Sequence, residues 1–218
     1  MDNIRILITD DHPMMRDALK TALEEEADMI VVDEAANGLE AIALAKLHQP
    51  DVILMDLLMP DMNGLEAITL LVEADADVKI LVVTSLEDEE KIIAAIQAGA
   101  LGYFPKTAPR TFLLEAIRKV ADGVPYLPAG IAKKLFSSLR NMKTPLPGRS
   151  ATDEPLTTRQ EEILAMLGEG HSDQEIGQSL HLSEATVRSH VHRVLQRLGL
   201  KNRAQVVAYA NGRRHEEE

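Results

Sequence analysis

Acidic side chains stand where two apolar runs end. Asp10 and Asp11 close Ile4-Arg5-Ile6-Leu7-Ile8-Thr9, and Asp56 closes Val52-Ile53-Leu54-Met55. If these runs are neighbouring parallel strands, Asp10, Asp11 and Asp56 meet at one edge of a sheet. Carboxylates within ~4 Å of one another repel by several kcal/mol per pair at a surface-like dielectric. Such a cluster requires a bound cation or shifted proton affinities. A hard, oxygen-seeking ion such as Mg²⁺ suits it. Thr84 and Ser85 follow a later apolar run and Lys106 follows the next. A hydroxyl donor, a fixed ammonium and a carboxylate-held cation are each complementary to phosphate oxygens. Asp56, just past its strand, is then placed as a carboxylate nucleophile able to take a phosphoryl group as an acyl phosphate.

The elements that position these residues alternate. Strands are expected over 4–9, 30–34, 51–55, 78–83 and 101–104, and helices over 14–26, 38–48, 64–73, 88–98 and 110–122. That alternation predicts an α/β fold with a doubly wound, five-stranded parallel sheet, whose ligands sit in the crevice at the carboxyl ends of the strands. In helix 38–48 the spacing of Leu39, Ile42, Ala43 and Leu47 predicts the face that packs on the sheet. His12 precedes Pro13 at a helix start, a poor setting for a phosphoacceptor.

Residues 128–140 read as one further helix, with Ile131, Leu135 and Leu139 as its stripe. The proline-bearing stretch 141–155 reads as a linker. Beyond it four short helical patterns, 158–168, 173–180, 184–198 and 202–211, break at Gly168-Glu169-Gly170, His181-Leu182 and Gly199. On 184–198, Val187, Val191, Val194 and Leu198 share a face, and Arg188, Ser189, His192 and Gln196 lie opposite. Those donor-rich side chains can read base edges in a major groove. His190 and His192, two apart on a helix, point to different sides and do not make a metal pair.

Composition narrows the function. The 218-residue chain has no cysteine, which excludes disulfides and thiolate zinc sites. No apolar stretch of 18 residues and no leader-like N-terminus occurs, so a soluble cytoplasmic protein without a membrane partner is expected. The net charge of −12 is unevenly placed. Residues 1–125 carry 10 Lys and Arg against 24 Asp and Glu, whereas 155–218 carry 8 against 9. Within 188–214 stand seven basic residues and no acid, a basic surface hidden inside an acidic total.

Ile-Thr-Asp-Asp-His-Pro (8–13), Asp-Val-Ile-Leu-Met-Asp-Leu-Leu-Met-Pro-Asp-Met-Asn-Gly (51–64), Val-Val-Thr-Ser (82–85) and Gly-Ala-Leu-Gly-Tyr-Phe-Pro-Lys (99–106), in that order, resemble the receiver domain of two-component response regulators. The resemblance implies a flavodoxin-like fold with Asp56 as phosphoacceptor. It implies Mg²⁺ on Asp11, Asp56 and the Leu58 carbonyl, with Asp10 acting through water. Thr84 and Lys106 would contact the phosphoryl group, and Tyr103 would be the aromatic that turns inward on activation. The chain departs from many receivers at Thr107, where a proline commonly follows the lysine. The acidic run Glu87-Asp88-Glu89-Glu90 sits where negative charge favours a helix start.

Leu156-Thr-Thr-Arg-Gln-Glu-Glu-Ile-Leu, Glu175-Ile-Gly, Leu182-Ser-Glu-Ala-Thr-Val-Arg-Ser-His-Val-His-Arg-Val-Leu and Leu200-Lys-Asn-Arg-Ala are similar to the LuxR-type helix-turn-helix domain. That similarity implies Arg188, Ser189 and His192 toward bases, and Thr186, Lys201 and Arg203 toward phosphates. Gly177 stands where the family usually has alanine. The expected organisation is a receiver over 1–125, a linker over 126–154 containing the helix, and an all-α DNA-binding domain over 155–215. Together they resemble a regulator of the NarL/FixJ kind. A sensor histidine kinase would phosphorylate Asp56, and the chain would bind promoter DNA as a homodimer on activation. It would act as a stoichiometric phosphoacceptor rather than an enzyme. Two rival readings are a metal-dependent phosphatase or phosphotransferase turning over at Asp56, and a binding module indifferent to phosphorylation.

Overall fold

The computed structural model describes residues 3–85, 88–128, 130–135, 156–200 and 202–217. The chain divides into two compact units, Met1–Ala121 and Asp122–Glu218. The first contains β1 (Ile4–Thr9), α1 (Pro13–Glu24), β2 (Met29–Ala35), α2 (Gly38–His48), β3 (Val52–Met55), α3 (Gly64–Ala74), β4 (Ile80–Thr84), α4 (Glu89–Ala98), β5 (Gly102–Pro105) and α5 (Arg110–Ala121). The sheet runs β2-β1-β3-β4-β5 with parallel pairing throughout, as the alternation of elements predicts. Boundaries fall within two residues of those expected.

From β1 the chain steps outward to β2 and then crosses back to β3. The order therefore reverses between β1 and β3, and the carboxyl ends of those strands flank the crevice. Helices cover both faces of the sheet, so every residue of β3 and β4 is buried. Ile6, Ile8, Ile53, Leu54, Ile80 and Leu81 are almost wholly removed from solvent. Each such side chain contributes roughly 2 kcal/mol of hydrophobic stabilisation.

Helix α2 corrects the sequence expectation. Leu39 and Leu47 are 56% and 71% exposed, and Ala43 is exposed too, whereas Gly38 and Ala41 are buried and Ile42 and Ala45 half-buried. The helix is apolar on most of its circumference, so spacing alone did not define a unique inner face. Its start is set by Asn37, whose side chain accepts from the Glu40 N–H.

The second unit contains α6 (Thr158–Gly168), α7 (Asp173–Leu180), α8 (Glu184–Leu198) and α9 (Arg203–Glu217). Capping boxes open α6 (Thr157 with Gln160) and α7 (Ser172 with Glu175), and Ser183 accepts from the Thr186 N–H at the start of α8. His181 adopts the left-handed region between α7 and α8, where the Leu182 N–H bonds to the Gly177 carbonyl at 2.9 Å. A β-carbon on Gly177 would lie 2.8 Å from the Leu182 carbonyl oxygen, so glycine permits this tight turn. Ile163, Leu164, Leu167, Ile176, Val187, Val191, Val194, Val206 and Ala210 form the core. Residues 130–135 are helical, with Ile131 and Leu135 buried. The remaining part of the expected helix, including Leu139, and the expected linker 141–155 lie outside the described residues.

Candidate functional site

Strand register brings the acids together. Thr9 pairs with Met55, so Asp10 and Asp56 follow at the same level of β1 and β3, and the Asp56 N–H donates to the Thr9 carbonyl at 2.9 Å. Asp10 and Asp56 are 1% and 3% exposed. One ligand-capable atom from each of Asp10, Asp11, His12 and Asp56 lies within 4.8 Å of all the others. Asp11 Oδ1 is buried without a hydrogen bond; His12 Nδ1 stands 2.6 Å away but out of alignment for one. A buried carboxylate oxygen without a hydrogen bond, beside two further acids, is a donor set that fits a hard divalent cation.

Lys106 completes the cluster. Its backbone N–H donates to the Thr84 carbonyl at 3.0 Å, tying the β5 loop to the end of β4. Its side chain is 8% exposed, and Nζ lies 2.5 Å from both Asp10 Oδ2 and Asp56 Oδ2. Burial alone would push the ammonium down, but hydrogen bonds and attraction from Asp10 and Asp56 outweigh it and hold it above the ordinary lysine range. The other oxygen of Asp56, Oδ1, accepts from the N–H groups of Leu57 at 2.6 Å and Leu58 at 3.3 Å. The carboxylate plane is thereby fixed, with Oδ2 facing Lys106. Asp10 is braced from the start of α1: its Oδ1 accepts from the N–H of His12, the N-cap, at 2.9 Å and its carbonyl from Arg16 Nη1 at 2.7 Å.

Thr84 is wholly buried at the end of β4, Tyr103 is 8% exposed on β5, and Leu58 is 48% exposed in the β3 loop. Among the described residues no peptide bond is cis, consistent with Thr107 after Lys106. Gly64 seats α3 against the site: a β-carbon there would lie 2.0 Å from the Asp56 carbonyl oxygen.

In the second unit Thr186, Arg188, Ser189 and His192 are all exposed along α8, opposite the buried Val187, Val191 and Val194. Thr186 Oγ1 lies 2.7 Å from Ser183 Oγ, and His192 Nε2 lies 3.0 Å from Gln196 Nε2. Arg188 Nη2 is 2.5 Å from Glu184 Oε1, and its Nε is 3.8 Å from Asp173 Oδ2. Arg203 is directed elsewhere. Its guanidinium, 13% exposed, pairs with Asp173 and donates to the His171 carbonyl at 2.9 Å, because the enclosed Asp173 carboxylate needs a countercharge. Lys201 lies outside the described residues.

Residues 6–118 match the response regulator receiver domain family, and residues 154–210 match the luxR family of bacterial regulatory proteins. The transcriptional regulatory protein LiaR of Bacillus subtilis is 40% identical over 209 residues, covering 95% of this chain and 97% of its own. This chain belongs to the response regulators. VraR of Staphylococcus aureus, a response regulator protein, is 36% identical over 207 residues, covering 95% and 96%. Among solved structures, the response regulator ChrA of a heme-sensing two-component system is 30% identical with a TM-score of 0.53, covering 98% and 99%. Two RcsB dimers bound to two parallel DNAs share the fold at 22% identity and TM-score 0.56, covering 95% and 98%. The luxR-family match and the LiaR relative identify DNA-binding transcription regulators. No helix among the described residues is long and apolar enough to cross a membrane.

In this response regulator, the strand ends bring Asp10, Asp11, Asp56 and Lys106 together, with Thr84 buried at the end of β4. The structure adds His12, Arg16, the Leu57 and Leu58 N–H groups and Gly64 around them. Asp173 went unnoticed because an acid in the first turn of a helix reads as ordinary dipole compensation.

Proposed function

We propose that Asp56 is the phosphoacceptor and that its modification switches promoter binding by the C-terminal domain. Carrying this reading is Lys106 Nζ at 2.5 Å from Asp56 Oδ2, the oxygen without a backbone donor. The Oδ2 lone pair forms a bond to phosphorus while the bond from phosphorus to the donor breaks. The donor is a phosphohistidine nitrogen of a sensor kinase or the bridging oxygen of a small acyl phosphate. The leaving atom keeps the electron pair, and an imidazole leaving group takes up a proton. Lys106 then already stands beside the new phosphoryl oxygens.

Asp11, Asp56 and the Leu58 carbonyl, with Asp10 beside them, would hold Mg²⁺, and the ion supplies charge neutralisation for the phosphoryl oxygens. Thr84 serves as a hydroxyl donor and Tyr103 as the aromatic reporting on it; its ring is buried in the conformation described here. Moving a two-state equilibrium from 1:99 to 99:1 takes about 5.5 kcal/mol. Charge-assisted hydrogen bonds contribute roughly 1.5–3 kcal/mol each, so the switch takes two or three that the unmodified site lacks; Lys106, already paired with Asp10 and Asp56, adds only the difference.

Arg188, Ser189 and His192 read base edges and Thr186 and Lys201 contact phosphates, while Arg203, expected at a phosphate, instead braces the turn through Asp173 and the His171 carbonyl. The chain pairs on DNA as a homodimer, supported by the RcsB dimers on DNA, and works in the cytoplasm. The organisation we infer is receiver 1–125, linker 126–154 and reader 155–215. Stoichiometric modification rather than turnover is favoured because Leu58, two residues after Asp56, offers no acid to protonate a leaving group. Phosphate-affinity electrophoresis after acetyl phosphate and Mg²⁺ tests the site. One shifted band in the wild type and none in Asp56→Asn is expected; a shifted band in Asp56→Asn overturns it.

A further inference from the structure

We propose that Asp173 positions Arg188 for base reading, making it a determinant of DNA specificity although it lies off the reading face. This inference rests on α8 reading DNA through Arg188. Asp173 is the first residue of α7, and its side chain is 15% exposed. One of its oxygens, Oδ1, takes the Arg203 guanidinium, which is itself 13% exposed and anchored to the His171 carbonyl. The carboxylate is thus clamped from α9. Its other oxygen, Oδ2, is directed at α8, 3.8 Å from Arg188 Nε.

Arg188 is therefore flanked by two carboxylates of different character, one hydrogen-bonded and one a longer-range ion pair. Glu184, 2.5 Å from Nη2, is 53% exposed and one helical turn away on the same surface. Surface pairs of this kind yield readily to a competing partner. Asp173 is enclosed, belongs to another helix and cannot swing with Arg188. When a guanine edge displaces Glu184, the Asp173 charge still faces Nε across 3.8 Å, and that attraction favours the stem direction in which the terminal nitrogens are presented end-on for paired hydrogen bonds to N7 and O6. A guanidinium so oriented loses less freedom on binding than one swinging from an unsupported stem. Asp173 also compensates the α7 dipole and holds Arg203, and those roles affect stability without preferring any base.

The test is selection from a randomised duplex library using the full-length chain with acetyl phosphate and Mg²⁺. Wild type, Arg188→Ala, Asp173→Asn and the double variant are compared. Arg188→Ala is expected to flatten preference at one base position. Asp173→Asn should lose about tenfold in discrimination at that same position, and the double variant should lose no more than Arg188→Ala. Uniformly weaker binding with the base profile intact in Asp173→Asn would assign it a structural role and overturn the proposal. An unchanged profile in Arg188→Ala, or no selected motif in the wild type, would overturn the proposal together with the α8 reading beneath it. If Asp173→Asn does not fold, the Arg188 Nε–H in the wild-type NMR spectrum decides. Slowed solvent exchange supports the contact, and exchange as fast as in free arginine refutes it.

Discussion

A single ammonium sits between two buried carboxylates, and this fixes what the receiver site can tolerate. Lys106, 8% exposed, shares its charge between Asp10 and Asp56, which are themselves 2% and 4% exposed at the side chain. Lys106→Met would leave both acids enclosed without a countercharge, and breaking such a buried pair costs about 3 kcal/mol. Millimolar Mg²⁺ should restore part of that loss by supplying the missing charge to the same carboxylates. Urea unfolding of Lys106→Met with Mg²⁺ and with EDTA checks this; an equal loss in both would show that the acids do not gather a cation. The sign with pH follows from the raised Lys106 affinity for its proton. Its contribution is fully present below the ordinary lysine range and is lost only as pH rises through the raised value. Weakening from this group is thus expected in strong alkali and not near neutrality.

At the scale of elements, helix ends and turns hold the side chains in place. The Ser172 capping box starts α7, and the Ser172 N–H and hydroxyl hold the Glu175 carboxyl below the usual glutamate range. A depressed carboxylate stabilises above its unfolded pKa, and that contribution is lost as pH falls through the folded value. Ser172→Ala should move the Glu175 titration part of the way back up, with acid unfolding of the helical domain beginning at higher pH. Carboxyl-carbon NMR reads both. Gly177→Ala would gain about 1 kcal/mol in helix propensity, but its β-carbon would meet the Leu182 carbonyl at 2.8 Å. Overpacking against backbone costs roughly 1–3 kcal/mol, so thermal unfolding should show no gain and a net loss of about 1 kcal/mol. Much of this level was legible beforehand. Buried parallel strands wrote themselves as continuous apolar runs, whereas the capping boxes Asn63-Glu66, Thr157-Gln160 and Ser172-Glu175 became evident only with the helix starts in the structure. The inner face of α2 was not legible, because Leu39, Ala43 and Leu47 fit a stripe as well as the residues that pack. Nor was the partner of Arg203, because the Asp173 carboxylate that takes its guanidinium comes from a helix 30 residues earlier.

For the whole molecule, charge is divided by task. Acids dominate the phosphoryl-accepting unit, and the stretch 188–214 carries seven basic residues and no acid. Removing one phosphate-facing basic residue is expected to weaken binding evenly across sequences and to lower the salt dependence by about one counterion. The central claim is that phosphoryl chemistry at Asp56 governs DNA binding by α8. Its most direct test is fluorescence anisotropy of the full-length chain on a selected duplex, with and without acetyl phosphate and Mg²⁺, in wild type and Asp56→Asn. Wild-type affinity should tighten on the order of tenfold or more with phosphodonor, and Asp56→Asn should not respond. An equal gain in Asp56→Asn, or none in a wild type shown to be phosphorylated, would contradict it.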